Sequence, residues 1–531
     1  MTKHVFWAGI AVLALTTPLA LSAQENAAGS PQSGEDRYEV GKALPPLEEG
    51  EQLVVMTLEE AIARAEAQNL DIQTARLSPR MQDYSLRAAQ AVYNPTFSAT
   101  YGYNNATNQS TSQLDGGAQT STERHTFNTG ITQQVPWYGG RLSLNFNNSK
   151  TSTNNTFSTL NPSYRSTASI DYTQPLLAGL KTDNQRAALQ TQELQGDITE
   201  LQLQSRIDNI TEQVRQAYWG LRASIELIEI ARRSLAQAQT LLEQNQTRVR
   251  LGTMAQIQVI QAEAQVASAE QSLLNAEIQW RNQELVFKSL LISGADDPLL
   301  YQRINPVDLP TAEEQEVDLQ GAIDTALRER TDIQQQRYER RIAEVDLAVT
   351  RDNRLPDLNL SASYSLQGTG GNLYDRSGLG GTPVLVSQGG YADGLQAIAG
   401  FDVPTWNVSL NFSYPLGMRS AKANLERSRL QMEQRDLAIK SQELAIVTEV
   451  TNAGLSVRDT QLQLDAATRS RELAEQNAAS ELTRFNAGVA TNYEVVQAQD
   501  DLTSARLSEL RAVINHIDAI AEFERVQRVG R

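Results

Sequence analysis

The 531 residues contain no cysteine and only three histidines, His4, His125 and His516, scattered along the chain. Without thiols there is no disulfide, no thiolate metal site and no cysteine to carry an N-terminal lipid. The isolated histidines offer no metal-ligand spacing, and no nucleophile elbow is present. Neither an enzyme nor a bound cofactor or metal is expected. Beyond the first 23 residues no apolar run approaches about eighteen residues, which excludes a helical membrane span. Any crossing must use strands closed into a barrel, where every backbone group is satisfied in lipid. Positive charge is also scarce: 46 Lys and Arg stand against 63 Asp and Glu, a net −17. Such a surface repels phosphates, so nucleic acid is not an expected partner.

What is present begins with MTKHVFWAGIAVLALTTPLALSAQ, which reads as a secretory signal over residues 1–23. Lys3 supplies the positive region, Val5 to Leu15 the apolar core, and Ser22-Ala23 the cleavage site. Residues 24–56 form an acidic, proline-containing extension. Its bulk, Glu25 to Glu51, is expected to be disordered or wrapped around the outside of helices.

The rest is written twice. TLEEAIARAEAQNLDIQ (Thr57–Gln73) aligns with DLQGAIDTALRERTDIQ (Asp318–Gln334) at an offset of 261, which also sets Pro95 on Pro356 and Tyr103 on Tyr364. TRVRLGTMAQIQVIQA (Thr247–Ala262) returns as TRFNAGVATNYEVVQA (Thr483–Ala498) with six of sixteen positions identical. The first repeat covers 57–300, with a helix over 57–94, strands over 95–175 and a helical hairpin over 181–293. The second covers 318–531, with a helix over 318–354, strands over 356–415 and a hairpin over 419–529. Residues 301–317, rich in proline and acid, read as a linker. Thr57-x-x-Glu60 is a capping box, Pro79 is placed to kink or split the first helix, and Asp183 and Ser420 are candidate helix caps.

The strand regions alternate. In WNVSLNFSY, Trp406, Val408, Leu410, Phe412 and Tyr414 share one face, and Asn407, Ser409, Asn411 and Ser413 the other. LNLSASYSL (Leu358–Leu366), LSLNF (Leu142–Phe146) and SIDY (Ser169–Tyr172) repeat the theme. A half-buried strand of a soluble sandwich has the same period; small uncharged polar residues and aromatic ends favour a barrel with lipid outside and water inside. Pro95 to Pro175 is 21 residues longer than Pro356 to Pro415, room for one more hairpin. The expectation is two strands in the second half and two or, preferably, four in the first. NNATNQSTSQLDGG (Asn104–Gly117) and QGTGGNLYDRSGLGGTP (Gln367–Pro383) read as exposed turns.

From 183 to 249 there is no proline, enough for a helix of roughly 100 Å. Val259, Ala262, Val266, Ala269, Leu273, Ala276 and Trp280 form a heptad seam on the return helix. The matching seam, Val495, Ala498, Leu502, Ala505, Glu509 and Ala512, is interrupted by Glu509. Gly252 and Gly488 mark the two hairpin tips.

The signal, the duplicated halves, strand regions ending in TQPLLAG (Thr173–Gly179) and SYPLG (Ser413–Gly417), and the paired glycine tips resemble the TolC-like outer-membrane efflux family. That family supplies the outer membrane factor of tripartite efflux and type I secretion systems, and the likeness spans Thr57 to Val526. It implies a mainly α fold with a β-barrel segment. In a homotrimer, an outer-membrane β-barrel is continuous with a long periplasmic coiled-coil barrel of twelve helices. It further implies a Gram-negative-type outer membrane, contact with outer-membrane lipid, and docking on a periplasmic adaptor and an inner-membrane efflux or ABC-type transporter.

By position, the periplasmic aperture and docking tips are Arg250, Leu251, Gly252 and Thr253 with Asn486, Ala487, Gly488 and Val489. Glu494, just inside, is a candidate for an acidic aperture ring, although its counterpart Gln258 and its neighbour Gln497 are neutral. A lone Glu near a helix start also suits a solvated, dipole-pairing role. Two features depart from the family pattern: the acidic extension, and the extra strands that bring a trimer to eighteen rather than twelve. An envelope structural or adhesive coiled-coil protein leaves the strands unexplained. A stand-alone diffusion porin leaves the helices unexplained, and RVQRVGR at the end lacks a terminal aromatic strand.

Overall fold

The computed structural model describes residues 42–47, 52–111, 117–309, 317–378 and 381–527. The expected signal and most of the extension lie outside these residues.

The first half opens with strand β1 (Leu53–Met56) and helices α1 (Leu58–Gln68), α2 (Leu70–Ala75) and α3 (Leu77–Gln90). The capping box is formed, the Thr57 hydroxyl accepting from the Glu60 N–H at 3.2 Å and Glu60 accepting from the Thr57 N–H at 3.0 Å. The helix splits at Asn69 and Arg76; Pro79 sits inside the first turn of α3, where a missing N–H costs nothing. Asn69 breaks the helix by turning extended (φ −60°, ψ 126°) and capping α2 with its own side chain.

Strands β2 (Thr96–Gln109), β3 (Gln119–Gln134), β4 (Arg141–Thr153) and β5 (Leu160–Pro175) follow, then α4 (Asn184–Arg250) and α5 (Gln256–Leu291). Asp183 caps α4 by accepting from the Arg186 N–H at 2.8 Å. A helical turn at Pro298–Tyr301 leads to β6 (Arg303–Pro306), which pairs in parallel with β1. The front of the expected linker is thus built into the fold: Ile304 is buried, and its N–H donates to Glu284 at 3.0 Å. The end of the extension is held too. Ala43 donates to Glu226 and accepts from Arg222, each at 3.1 Å, where those two residues form a buried ion pair on α4.

The second half repeats the plan with α6 (Leu319–Glu329), α7 (Thr331–Asp352), β7 (Asp357–Asp375), a short β8 (Val384–Ser387), α8 (Tyr391–Ala399), β9 (Pro404–Ser413), α9 (Arg419–Asn486) and α10 (Asn492–Gln527). Its helix breaks at Arg330, the repeat equivalent of Asn69, with nearly the same backbone angles. Ser420 is not a cap. Gly417 and Met418 both adopt positive φ, so the chain reverses sooner and α9 starts one residue before Ser420.

Each outgoing helix, 67 or 68 residues, is nearly twice its 36-residue return partner. The surplus flank of α4 is covered by α1–α3, and that of α9 by α6 and α7. The return seams pack as the heptads predict, with Val259, Ala262, Ala269, Ala276 and Trp280 buried in one, and Val495, Ala498, Leu502, Ala505 and Ala512 in the other. Glu509 does not open the second seam. It is buried and bound by Arg471 through both carboxylate oxygens, at 3.0 and 3.2 Å.

The six long strands form one antiparallel ladder, β2-β3-β4-β5-β7-β9, four from the first half and two from the second. Two segments read as turns extend it: Asn104–Gln109 belongs to β2 and Gln367–Asp375 to β7. Hydrogen bonding to β3 and β5 overrides their glycine- and asparagine-rich composition. No described helix is long and apolar enough to cross a membrane.

Candidate functional site

Both hairpin tips close by the same hydrogen-bond pattern. At the first, Gly252 (φ +76°) donates to Val249 O at 2.9 Å and Thr253 to Arg248 O at 2.9 Å. At the second, Gly488 (φ +80°) donates to Phe485 O at 3.0 Å and Val489 to Arg484 O at 2.9 Å. This is the Schellman arrangement, in which a left-handed residue satisfies the last carbonyls of a helix. A Cβ on either glycine would meet nothing within 4 Å, so the demand is on φ, not on space. Leu251 and Val489 stand exposed at the ends, and Ala487 caps α9.

The structure holds the two tips against each other. The Arg248 guanidinium lies 4.1 Å over the Phe485 ring and donates to Phe485 O and to Asn486 Oδ1, both at 3.2 Å. One turn inward, Asn245 donates to Asn492 Oδ1 at 2.8 Å, with both side chains buried. Leu241, Phe485 and Val495 pack beneath, with Met254 and Ala490 against them. Asn486 is therefore part of a clamp. Arg250 turns back on Thr247 Oγ1 at 3.0 Å, and the Thr253 hydroxyl donates to Arg248 O at 3.0 Å.

Glu494 sits in a capping box. Its Oε2 accepts from the Thr491 N–H at 2.6 Å and hydroxyl at 2.9 Å, and its own N–H donates to Thr491 Oγ1 at 3.3 Å. The Thr491 N–H, then its hydroxyl, holds the carboxyl below the usual glutamate range. The counterpart helix α5 begins at Ala255, which has no side chain to cap with. The sequence reading missed Arg248, Asn245, Phe485, Asn492 and Thr491. Two signals were available: Arg248 and Arg484 are identical in the repeated motif, and Thr491-x-x-Glu494 has the spacing already recognised at Thr57.

The strand ladder sorts its faces row by row. Phe97, Ile131, Leu144, Ile170, Tyr364 and Trp406 lie in one register across all six strands. All six are exposed, Trp406 at 76%. The adjacent register, on the opposite face, reads Ser98, Gly130, Asn145, Ser169, Ser365 and Thr405. An exposed apolar face backed by small polar residues belongs against lipid with water behind it. Among the described residues no cluster of His, Asp and Glu could hold a metal.

A lipid-facing strand ladder joined to long paired hairpins defines a membrane duct subunit, a protein of walls and ends. Residues 141–291 and 322–521, about two thirds of the chain and one segment in each half, match the model of the family described as Outer membrane efflux protein. The chain belongs to that family. It is a TolC-like efflux channel of the Gram-negative outer membrane, a transport protein and not an enzyme.

Solved channels share the fold. The CmeC outer membrane channel of Campylobacter jejuni is similar at a TM-score of 0.63 and 14% identity, over 89% of this chain and 86% of that one. VceC of Vibrio cholerae is similar at 0.63 and 15%, over 89% and 96%. The MtrE channel of Neisseria gonorrhoeae is similar at 0.58 and 16%, over 88% of each. No curated protein matches the chain in sequence.

Proposed function

We propose that the chain is one subunit of a homotrimeric exit duct, passing substrates across periplasm and outer membrane after docking on a periplasmic adaptor and an inner-membrane efflux or ABC-type transporter. The observation that carries this reading is the open ladder. Among the described residues β2 pairs only with β3 and β9 only with β7, so two edges of a lipid-facing sheet lack partners. Lipid does not tolerate such edges. Six strands are too few to close alone, since about eight is the small limit. Copies joined β9 to β2 remove every edge, and three of them bring eighteen strands, within the range that leaves an aqueous channel.

In this reading Arg250, Leu251, Gly252, Thr253, Asn486, Ala487, Gly488 and Val489 form the periplasmic aperture and its docking edge. The exposed Leu251 and Val489 support a protein contact there. Glu494 adds an anionic ring about the threefold axis, favouring cations. The Arg248 clamp makes the two hairpins of one subunit move as a pair.

Planar-bilayer recording tests this. A closed-tip duct gives small currents, and removing the clamp with Arg248→Ala and Asn245→Ala raises them. Losing about 2 kcal/mol of charge-assisted contact raises an open-tip population by about 30-fold. A steady large current in the unaltered protein indicates a diffusion porin. No current in either protein indicates a structural role.

A further inference from the structure

Helix α8 was not foreseen from the sequence, and the efflux-duct reading gives it no task. Its position follows from two glycines of β7. Gly368 and Gly370 share strand parity with Leu358, Leu360, Ala362, Tyr364 and Leu366, the apolar face. A Cβ on Gly368 would fall 1.8 Å from Gly394 O, and one on Gly370 would fall 2.1 Å from Gly390 O. The backbone of α8 therefore presses directly on the lipid-facing side of the sheet, and only glycine leaves it room.

What α8 covers differs from the rest of that face. It lies over Asn148, Ser166 and Gly368, whose register row continues beyond it to the exposed Phe127 and Tyr101. Asn148 and Ser166 are buried, and Asn148 Oδ1 accepts from the Tyr391 hydroxyl at 2.9 Å. Two residues further along the strands comes Tyr103, His125, Lys150, Tyr164 and Gly370, where Lys150 Nζ lies 5.9 Å over the Tyr164 ring. Aromatic rings beside a cation mark the level where hydrocarbon gives way to headgroups. Twelve residues separate Leu358 from Gly370, about 40 Å of strand, or about 30 Å of height at the tilt of a barrel. The helix thus lies near the end of the band remote from the helical hairpins.

The outward surface of this excursion is mostly apolar, with the exposed Asp393 and Asp402 near the two ends of the helix. Val384, Val386, Leu395, Phe401 and Val403 are exposed, and they run on from Trp406 and the strand band. No residue from Thr382 to Ala392 is charged. We infer that α8 forms an external collar on the barrel, seated at the outer-leaflet interface, with lipid as its partner, while β8 continues β7 beyond it. The collar hides the polar patch of Asn148 and Ser166 and replaces it with an apolar surface, as an interfacial helix does. The inference rests on the sheet's apolar face meeting lipid, and its test separates the two.

The cysteine-free chain accepts single cysteines at Leu395, Val386, Leu410 and Ser409, each labelled with bimane and reconstituted in phosphatidylcholine vesicles with or without brominated acyl chains. Leu395 and the mid-band Leu410 are expected to be quenched by bromine, and Val386, beyond the Gly370 level, and Ser409, on the opposite face, very little. Quenching at Leu410, with Leu395 as unaffected as Ser409, overturns the collar and leaves the barrel standing. An unquenched Leu410 overturns both.

Discussion

Glu494 shows how far one residue can be read from its neighbours. The sequence fixes a carboxylate three positions after Thr491 but not its direction, and the structure turns it back onto the helix end. The same pattern was legible at Thr57 because nothing there competed with the capping reading. The clamp was not legible: Arg248 reaches a residue 238 positions away, and only side-chain direction reveals it. A Gln at this position retains an acceptor for the cap, whereas Ala does not. Glu494→Gln, which keeps the acceptor and loses the charge, should lower the melting temperature less than Glu494→Ala, and both should reduce cation selectivity. An unchanged reversal potential in the Gln variant, with normal conductance, removes Glu494 from the aperture.

Among the helices, periodicity carried most of the information and charge the least. The heptad seams and the hairpin turns were visible because apolar spacing and glycine are local signals. Glu509 was read as a break because its partner, Arg471, lies on the antiparallel helix. Arg471→Ala strands a buried carboxylate and should cost about 3 kcal/mol, whereas replacing both residues with Leu should be nearly neutral. Equal losses in the two variants, measured by denaturant melts, contradict the pairing.

A second helix–helix contact sets a pH dependence. Burial, and then the charge of Glu212 on α4, push the Asp518 carboxyl of α10 up to about 6. Burial also raises Glu212, against the pull of Arg215, while Glu522 and Arg525 complete the surroundings. Because the folded pKa of Asp518 is raised, its contribution is full below the ordinary carboxylate range near 4. It is lost as pH rises through about 6. Asp518→Asn should flatten thermal stability between roughly pH 4 and 7 and stabilise the protein at neutral pH by about 1–2 kcal/mol, allowing for partial contact with water. Parallel melting profiles for variant and parent exclude this origin.

At the scale of the molecule, the four-plus-two division of strands was legible from the 21 surplus residues between matched prolines. The collar was not, because glycine-rich sequence reads as loop until a helix is found lying on it. The central proposal is that copies of this chain close one barrel by joining β9 to β2. Without native thiols, cysteine pairs combining Thr96, Ser98 or Thr100 with Thr405, Asn407 or Ser409 place both sulfurs on the water-facing side. Oxidation in membranes, followed by denaturing electrophoresis without reductant, then counts the copies. A barrel closed by three copies gives a covalent ladder that ends at three. Monomer throughout the panel, or a ladder that runs on beyond three, contradicts it.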